Sequence, residues 1–263
     1  MSASSSLPPS SPIGADAPAG SAITLYNHPS ADYAAKVHAT IELLKAAAFE
    51  HPSKVVQATS LGVEDMIVTD LIARYQLPIA IGTLETGMLH PETTALIGTI
   101  ETHYADAGLH VEVYKPEAEA AITFVMQHGD KAMYESIDLR KACCGIRKLE
   151  PLGRMLAERS AWITGLRREQ SNNRGDMAAR ELDGKGRTKF NPLIEWTWGD
   201  VWHYVSVNHV PYNPLHDQFM PSIGCAPCTR AIAVGEDFRA GRWWWEDEKA
   251  KECGLHVKQH GDA

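Results

Sequence analysis

The chain has 263 residues, of which 44% are hydrophobic and 22% charged, and its formal net charge is −8 at pH 7. This length fits one large globular domain, and no apolar run approaches the roughly 20 residues that a membrane-spanning helix requires. An acidic net charge argues against a protein that binds nucleic acid through its phosphates. The charge is uneven, because residues 1–139 hold 6 Lys and Arg against 17 Asp and Glu, whereas residues 140–263 hold 19 against 16.

The first twenty residues, MSASSSLPPSSPIGADAPAG, are mostly Ser, Pro, Ala and Gly and include few large apolar side chains. We therefore expect a disordered segment over residues 1–25 and a single α/β domain over 26–263. The sequence does not open with a basic stretch followed by an apolar one. We accordingly expect no secretory signal and a cytoplasmic protein.

Helix and strand patterns alternate along the rest of the chain. They predict a helix over 32–50, a strand from Ser53, a helix over 64–75 with Asp70 exposed, a strand from Leu77, a helix from Pro91 to about Asp106, a strand from His110, a helix over 117–128, a helix from about Cys143 to Arg159, a strand from Ala161 and a helix from Gly199. Residues 169–189 are interpreted as a mobile loop. Strands separated by helices predict a parallel sheet covered by helices on both faces.

Two loops that follow predicted strands are candidates for nucleotide binding. Residues 60–65, SLGVED, lie between a strand and a helix, where a turn containing glycine exposes backbone N–H groups and the helix dipole to an anion. Residues 83–87, TLETG, follow the next strand at the same edge of the sheet. Each loop alone is compatible with a plain strand-to-helix turn, but two side by side favour a nucleotide.

The five cysteines, Cys143, Cys144, Cys225, Cys228 and Cys253, all lie in the basic part of the chain. A reducing compartment disfavours disulfides, and adjacent cysteines rarely bridge each other. The vicinal pair and the CxxC pair therefore suggest four thiolates around one metal centre. Zinc accepts such a set, but the uneven spacing favours an iron–sulfur cluster. Two unrelated sets of buried cysteines are the alternative.

Cys253 stands apart from the other four cysteines, ten residues from the end of the sequence. Lys249, Lys251 and His256 are close to it in sequence, and positive charge favours the reactive thiolate form of a cysteine. We interpret Cys253 as a nucleophile on a mobile tail. An incidental surface thiol is the alternative.

Five dispersed blocks of sequence resemble the signature segments of the assimilatory adenylyl-sulfate reductases, which are part of the phosphoadenylyl-sulfate reductase family. In order they are KACCGIRKLEPL (141–152), WITGLRREQS (162–171), GCAPCTR (224–230), GEDFRAGRWWWE (235–246) and KECGLH (251–256). The two candidate nucleotide loops also resemble those of the family. The resemblance covers most of the chain from about residue 35.

This resemblance implies a Rossmann-like fold of the adenine nucleotide α-hydrolase type, with a parallel central sheet and a mobile catalytic tail over about 243–263. It implies a 4Fe-4S cluster on Cys143, Cys144, Cys225 and Cys228, with Cys253 as the catalytic nucleophile. The implied reaction is thioredoxin-dependent reduction of adenosine 5′-phosphosulfate to sulfite and AMP through an S-sulfonated cysteine. That reaction belongs to sulfate assimilation for cysteine biosynthesis, and a homo-oligomer is compatible with it.

The resemblance also implies substrate contacts. The implied nucleotide-binding residues are Ser60, Gly62, Leu84 and Gly87, and the residues implied around the phosphosulfate are Lys148, Arg167, Arg239, Arg242 and His256. The family commonly has LDTGRL where this chain has LETGML over 84–89, so we expect backbone contacts from this loop to persist and do not rely on side-chain contacts from Glu85 or Met88.

Two interpretations concern the segment over 239–245. Arg239 and Arg242 have the spacing of one helical face, so an ordinary solvated surface is their alternative. Trp243, Trp244 and Trp245 are interpreted as packing residues outside the site.

Three other classes of protein fit parts of the sequence. The nearest is a phosphoadenylyl-sulfate reductase or a dual-substrate enzyme, but such reductases usually lack the four cluster cysteines. An RNA-thiolating enzyme of the same fold usually has SGGxDS where this chain has SLGVED. A non-enzymatic iron–sulfur sensor would have no need for Cys253.

Overall fold

The computed structural model describes residues 20–170 and 177–246. The helices are α1 (Ala22–Tyr26), α2 (Tyr33–Glu50), α3 (Val63–Arg74), α4 (Pro91–His103), α5 (Ala118–His128), α6 (Ile137–Cys144), α7 (Glu150–Met155) and α8 (Trp198–Asn208). The strands are β1 (Val55–Thr59), β2 (Ala80–Leu84), β3 (Val111–Tyr114), β4 (Ala161–Ile163), β5 (Arg180–Leu182) and β6 (Thr188–Phe190). A π-helical turn over Gly145–Leu149 joins α6 to α7. None of the helices in these two ranges has the length and apolar character needed to cross a membrane.

The six strands form one sheet in the order β3-β2-β1-β4-β6-β5. Neighbouring strands are parallel except for β5 and β6, which pair antiparallel at one edge. The chain proceeds from β1 outward to β2 and β3, and then returns to place β4 on the other side of β1. This reversal between β1 and β4 is the switch point at which open α/β sheets bind their ligands. The Rossmann-like fold expected from the sequence is confirmed.

Helices cover both faces of the sheet, as the sequence predicts. Val55 of β1 belongs to a large core that includes Met66 of α3 and Trp202 of α8. The next residue, Val56, packs in a second cluster that includes Met155 of α7. Because successive residues of a strand face opposite sides of the sheet, β1 contributes to both cores.

The interpretation of residues 169–189 as a loop is wrong for part of that stretch, because it contains β5 and the start of β6. The carboxylate of Asp183 organises the turn between them. It accepts the backbone N–H groups of Lys185 and Arg187 at 2.9 and 3.0 Å and pairs with Nε of Arg187 at 2.7 Å. Strands of three residues are too short for a period-two pattern to show in the sequence. Residues 171–176 lie outside the described ranges.

Asp70 is buried, although the sequence pattern predicts it on the exposed face of α3. Its carboxylate accepts hydrogen bonds from the hydroxyls of Tyr104 and Tyr204 at 3.0 and 2.7 Å, and from Nε of Arg74 at 2.6 Å. The two tyrosines come from the end of α4 and the middle of α8, and Arg74 comes from the end of α3 itself, so the buried carboxylate is satisfied. The sequence shows only that Asp70 is a polar residue on α3. It does not show that other helices bring hydrogen-bond donors to its carboxylate.

The helix expected from Cys143 begins earlier, at Ile137, and ends at Met155 instead of Arg159. Ser136 caps its start by accepting the backbone N–H of Leu139 at 3.1 Å. A serine at this position is a usual N-terminal signal.

Two further expectations about local structure differ from what is observed. Arg239 and Arg242 do not lie on a helical face, because residues 234–246 form a series of turns. At the other end of the chain, α1 occupies the last residues of the segment expected to be disordered, and its Ala22 is buried.

Candidate active site

A cleft opens at the carboxyl edge of the sheet, across the switch point between β1 and β4. It is lined by the ends of three parallel strands, by the first turn of α3 and by the basic residues Lys148, Arg239 and Arg242. Residues from the strand ends are Thr59, Ser60, Leu84, Thr164 and Gly165. The cleft therefore brings the first candidate nucleotide loop together with three of the cations that the family resemblance places around the phosphosulfate.

The carboxylate of Asp65 holds the loop after β1 in shape. The backbone N–H and the hydroxyl of Ser60 donate to Oδ2 of Asp65 at 2.7 and 2.6 Å, and the backbone N–H of Gly165 donates to Oδ1 at 2.8 Å. Burial raises the pKa of Asp65 to about 6, although these hydrogen bonds favour its ionised form. Asp65 thus ties the end of β1 to the end of β4.

The backbone of this loop turns sharply at Leu61, whose φ of 63° is in the left-handed region. In this turn the backbone N–H of Leu61 donates to the hydroxyl of Thr59 at 3.0 Å, and that of Gly62 donates to the hydroxyl of Ser60 at 3.3 Å. A left-handed non-glycine residue costs free energy and is often found at functional sites. Ser60 and Gly62 line the cleft at the start of α3, and their contact with a nucleotide stays a prediction.

The loop after β2 is divided between the cleft and the cysteines. Leu84 lines the cleft, whereas Gly87, with a φ of 70°, lies outside its lining and beside the guanidinium of Arg147. The carboxylate of Glu85 accepts the backbone N–H of Gly87 at 2.7 Å, so it closes its own loop. Met88 packs with the buried cysteines. The two departures from the family pattern therefore have structural roles within this loop.

The basic side of the cleft depends on a close approach at Gly224. Its backbone lies so near the guanidinium of Arg242 that any side chain at Gly224 would collide with it. Nε of Arg242 donates to the backbone carbonyl of Cys228 at 3.1 Å, and the guanidinium stacks on the ring of Trp243 with 4.6 Å to the ring centre. Arg242 is thus held by both the CxxC segment and Trp243, and its buried side chain does not belong to an ordinary solvated surface.

Arg167 is fully buried and is not part of the cleft lining. Its guanidinium forms ion pairs with Glu64 at 3.0 Å and Glu169 at 2.7 Å. Glu64 and Gln170, which do line the cleft, are joined by a hydrogen bond of 2.8 Å. In this structure Arg167 supports the cleft through Glu64, and its contact with a phosphosulfate stays a prediction.

Four of the cysteines line a second cavity, adjacent to the cleft. Cys143 and Cys144 end α6, immediately before the π-helical turn, and Cys225 and Cys228 flank a short 3-10 turn. All four are free thiols. Both members of the vicinal pair line this cavity, although adjacent residues of a helix point about 100° apart. Irregular π turns often mark functional positions in helices.

The loop after β2 and the CxxC segment are directly joined. The backbone N–H of Ala226 donates to the carbonyl of Met88 at 2.7 Å, and the hydroxyl of Thr86 lies 3.2 Å from Sγ of Cys225. Nη1 of Arg147 donates to the carbonyl of Thr86 at 2.8 Å. Thr86 also lines the cleft, so it links the cleft to a cysteine of the second cavity.

The cysteine cavity combines burial with positive charge. Burial raises the pKa of Cys143 and raises that of Cys228 to about 12, so the bare thiols are protonated at neutral pH. The same cavity is lined by four cationic side chains, Arg140, Arg147, Lys148 and Arg242. Arg140 is already paired with Glu246, and the other three cations add positive charge that favours an anionic group in this cavity. Lys148 and Arg242 line both cavities.

Cys253 and His256 lie outside the described residues. Among the residues that are described, sequence reasoning missed the cleft-lining residues Glu64, Thr86, Gln170, His216, Phe238 and Trp243. Trp243, interpreted as a packing residue, is buried and lines both cavities. The only sign of this role in the sequence was that Trp243 follows Arg242. Whether a residue lines a cavity depends on contacts between distant segments, which the sequence does not show.

Comparison with known proteins identifies relatives over most of the chain. Residues 54–231 match the phosphoadenosine phosphosulfate reductase domain. The chain is 53% identical over 222 residues to an adenosine 5′-phosphosulfate reductase of Allochromatium vinosum, which covers 84% of this chain and 85% of that protein. It is 49% identical over 227 residues to a protein of the same name from Burkholderia cepacia, covering 86% of this chain and 89% of the relative.

Solved structures agree with this relationship. A phosphoadenylyl-sulfate reductase from Candida auris, in a phosphate complex, aligns with a TM-score of 0.60 and 28% identity, covering 71% of this chain and 88% of that one. An FMN adenylyltransferase from Candida glabrata aligns with a TM-score of 0.53 and 12% identity, covering 88% and 83%, which shows a shared fold alone. The match to the domain and the identity to full-length relatives together make this chain a member of the phosphoadenosine phosphosulfate reductase family.

Proposed function

We propose that the protein reduces adenosine 5′-phosphosulfate to sulfite and AMP, with a thioredoxin as electron donor. The relatives at about half identity that carry this name support the substrate. The reaction would serve sulfate assimilation and cysteine biosynthesis. It consumes a reduced dithiol and needs reduced cysteines, so we place it in the cytoplasm.

One observation carries this proposal: a single cleft is lined both by the loop at the start of α3 and by Lys148, Arg239 and Arg242. A nucleotide needs backbone donors at a strand-to-helix turn, and a phosphosulfate needs cations that offset its charge. A substrate that contains both a nucleotide and a phosphosulfate fits a cleft that offers both the loop and the cations. The strand ends supply the rigid support on which such sites depend.

The residues of the second cavity fit a 4Fe-4S cluster. Four cysteines line it, and the surrounding cations suit the negative charge of a cluster held by four thiolates. A zinc ion needs its sulfur ligands about 2.3 Å from one centre. The described part of the chain has no group of three or more His, Cys, Asp or Glu side chains suited to one ion. The uneven spacing of the two cysteine pairs, one adjacent and one CxxC, favours a cluster over zinc.

The proposed chemistry begins with the thiolate of Cys253 and the sulfur of the phosphosulfate. A new S–S bond forms while the bond from that sulfur to the bridging oxygen breaks, and AMP leaves with the electron pair. A thioredoxin thiolate then attacks Sγ of Cys253 and releases sulfite. The second thioredoxin thiol resolves the mixed disulfide, so the dithiol supplies both electrons and the Cys253 thiolate returns.

The other residues of the chain would bind and orient. Ser60 and Gly62 would hold the nucleotide at the start of α3, with Leu84 and Gly87 supplying the second loop. Lys148, Arg239, Arg242, Arg167 and His256 would offset charge on the phosphosulfate, either directly or, for Arg167, through Glu64. When bound, an iron–sulfur cluster would supply a compact negative charge beside Lys148 and Arg242.

The substrate is tested by measuring sulfite release from adenosine 5′-phosphosulfate and from its 3′-phosphorylated form, with reduced thioredoxin. We expect a clear preference for the form without the 3′-phosphate. A preference for the 3′-phosphorylated form would refute the substrate and identify a phosphoadenylyl-sulfate reductase.

The roles of the cysteines are tested by two matched substitutions. Cys253→Ser should abolish sulfite release and leave the visible cluster absorbance, iron and acid-labile sulfide unchanged. Cys143→Ser should lower all three cluster measurements. Retained turnover in Cys253→Ser would remove the nucleophile from the proposal, and a colourless zinc protein in the unsubstituted chain would overturn the cofactor.

A further inference from the structure

Arg140 and Glu246 form an ion pair with almost no exposure to solvent. Nε of Arg140 donates to Oε1 of Glu246 at 2.9 Å, and Nη2 donates to Oε2 at 2.7 Å. Their side chains are 1% and 2% exposed. Such a bidentate contact fixes both the distance and the orientation of the two groups. It is therefore a specific join between two segments that are more than 100 residues apart.

The pair joins two segments of different kinds. Arg140 lies on α6, about one helical turn before Cys143 and Cys144. Glu246 is the last described residue of the chain, and Cys253 follows it by seven residues. The pair thus connects the helix that ends in two cavity cysteines to the beginning of the tail.

Trp243 completes the join. The guanidinium of Arg140 stacks on its ring at 4.6 Å to the centre, and the backbone N–H of Glu246 donates to the carbonyl of Trp243 at 2.9 Å. Trp243 has a left-handed backbone, with a φ of 42°, which persists only where surrounding contacts hold it. Since Trp243 lines both cavities, the turn over 243–246 is positioned relative to the cleft as well as to the cysteines.

We propose that the Arg140–Glu246 pair is a positioning latch. It holds Glu246, where the Cys253-bearing tail begins, against the helix that carries Cys143 and Cys144. The proposal rests on the function proposed above, in which Cys253 is the nucleophile. A chain of seven residues spans at most about 25 Å, so the place where the tail begins determines which positions Cys253 can reach. Fixing the position of Glu246 raises the fraction of time in which the Cys253 thiolate is close to the bound phosphosulfate.

The latch predicts that substitution of Glu246 lowers turnover without weakening the binding of substrate. In Glu246→Ala, kcat should fall about 10-fold or more, because the nucleophile starts from a less defined position. KM and the affinity for AMP should change less than about twofold, since Glu246 is not part of the cleft lining. Visible absorbance and iron content should equal those of the unsubstituted protein. Glu246→Gln, which keeps one accepting oxygen, should show a smaller fall in kcat.

A second readout does not depend on activity. Trypsin must bind several extended residues on both sides of the bond that it cleaves, so anchoring at Glu246 should hinder cleavage after Lys249 and Lys251. We expect Glu246→Ala to accelerate cleavage at these two positions several-fold, measured by mass spectrometry on the cluster-loaded protein. The matched control is Glu236→Gln, in the same part of the chain, whose carboxylate pairs with the partly exposed Arg230. It should leave kcat and tail cleavage unchanged.

The outcomes distinguish the latch from a purely structural pair and from a failure of the proposed function. Unchanged kcat and unchanged tail cleavage in Glu246→Ala overturn the latch and leave the function standing. A fall in kcat accompanied by loss of cluster absorbance also overturns it, because the pair would then only stabilise the fold. If Glu246→Ala does not fold, Glu246→Gln and Arg140→Lys decide by the same two readouts. If unsubstituted protein shows no sulfite release at all, the proposed function fails, and the cleavage comparison still tests the anchoring.

Discussion

Nε2 of His216 accepts the backbone N–H of Val63 at 3.2 Å, which joins the 3-10 turn over Pro214–Gln218 to the first residue of α3. The first N–H groups of a helix have no partner within the helix. A neutral imidazole satisfies one of them beside the cleft and adds no charge to a region that would bind an anion. Only the neutral ring can accept this hydrogen bond, so the protonation state of His216 matters for the stability of the loop.

The first prediction concerns the pH dependence of stability. Burial lowers the pKa of His216 to about 4 from an ordinary value of 6.5. Below pH 6.5 the unfolded chain takes up a proton that the folded protein does not accept until about pH 4, so stability falls across this range. Replacing His216 by Gln should remove about 2 kcal/mol of the stability difference between pH 7 and pH 5. Denaturant unfolding at the two pH values measures it.

Asp65 has the opposite effect on the same measurement. Its pKa is raised by burial to about 6, so the folded protein binds this proton before the unfolded chain does and gains stability as the pH falls toward 3.8. Because Asp65 is present in both proteins, its contribution cancels when His216→Gln is compared with the unsubstituted chain. If the free energy of unfolding changes by the same amount between pH 7 and pH 5 in both proteins, His216 does not titrate as described.

The second prediction concerns Ser60. Its hydroxyl donates to Asp65 and accepts the backbone N–H of Gly62, so Ser60→Ala removes two hydrogen bonds from the loop at the start of α3. We expect AMP affinity to fall about 5- to 10-fold, the equivalent of about 1 kcal/mol, in calorimetric titration. Ser160→Ala is the matched control, because its hydroxyl bonds to His51 just before β4, at the other edge of the sheet. Equal AMP affinity in both variants would contradict a role for the loop.

The third prediction concerns two glycines in different environments. A Cβ at Gly165 would lie 2.6 Å from Oδ1 of Asp65 and 2.9 Å from its backbone nitrogen, so Gly165→Ala must displace α3 or the end of β4. We expect a loss of about 2 kcal/mol in stability and weaker AMP binding. At Gly98, exposed within α4, nothing lies within 4 Å of the added carbon, and Gly98→Ala should stabilise the protein by about 0.5 to 1 kcal/mol. Thermal unfolding of both variants checks the opposite signs.

The fourth prediction concerns Arg242. Its guanidinium donates to the carbonyl of Cys228, lies against Gly224 and stacks on Trp243, three contacts that require a planar group. Arg242→Lys keeps the charge and loses this geometry, so we expect kcat/KM for adenosine 5′-phosphosulfate to fall at least about 10-fold. Arg180→Lys, at a half-exposed pair with Glu50, should leave it unchanged. Full activity in Arg242→Lys would indicate that charge alone is needed there.

Much of the fold was predictable, because its signals are local. The helices over 33–50 and 63–74, the strands over 55–59 and 80–84, and the turn between them appear in the sequence as apolar periodicity with glycine at the boundary. The candidate site was predictable in part for the same reason. Ser60, Gly62 and Leu84 lie in two short loops that follow predicted strands, and the cysteines lie in two close pairs, so both features can be recognised without knowledge of the fold.

The sequence by itself determined the α/β class, the two cysteine pairs and the membership of a reductase family, since each rests on residue types at short, readable spacing. Only the tertiary structure decided which side chains meet. In the tertiary structure Asp70 is buried and bonded to two tyrosines, and Arg167 pairs with Glu64 outside the cleft lining. Trp243 lines both the cleft and the cavity of the cysteines. The tertiary structure also pairs Arg140 with Glu246 across 106 positions. Such contacts depend on how distant segments pack, and a buried charge is stable only where packing brings it a partner, which no local pattern records.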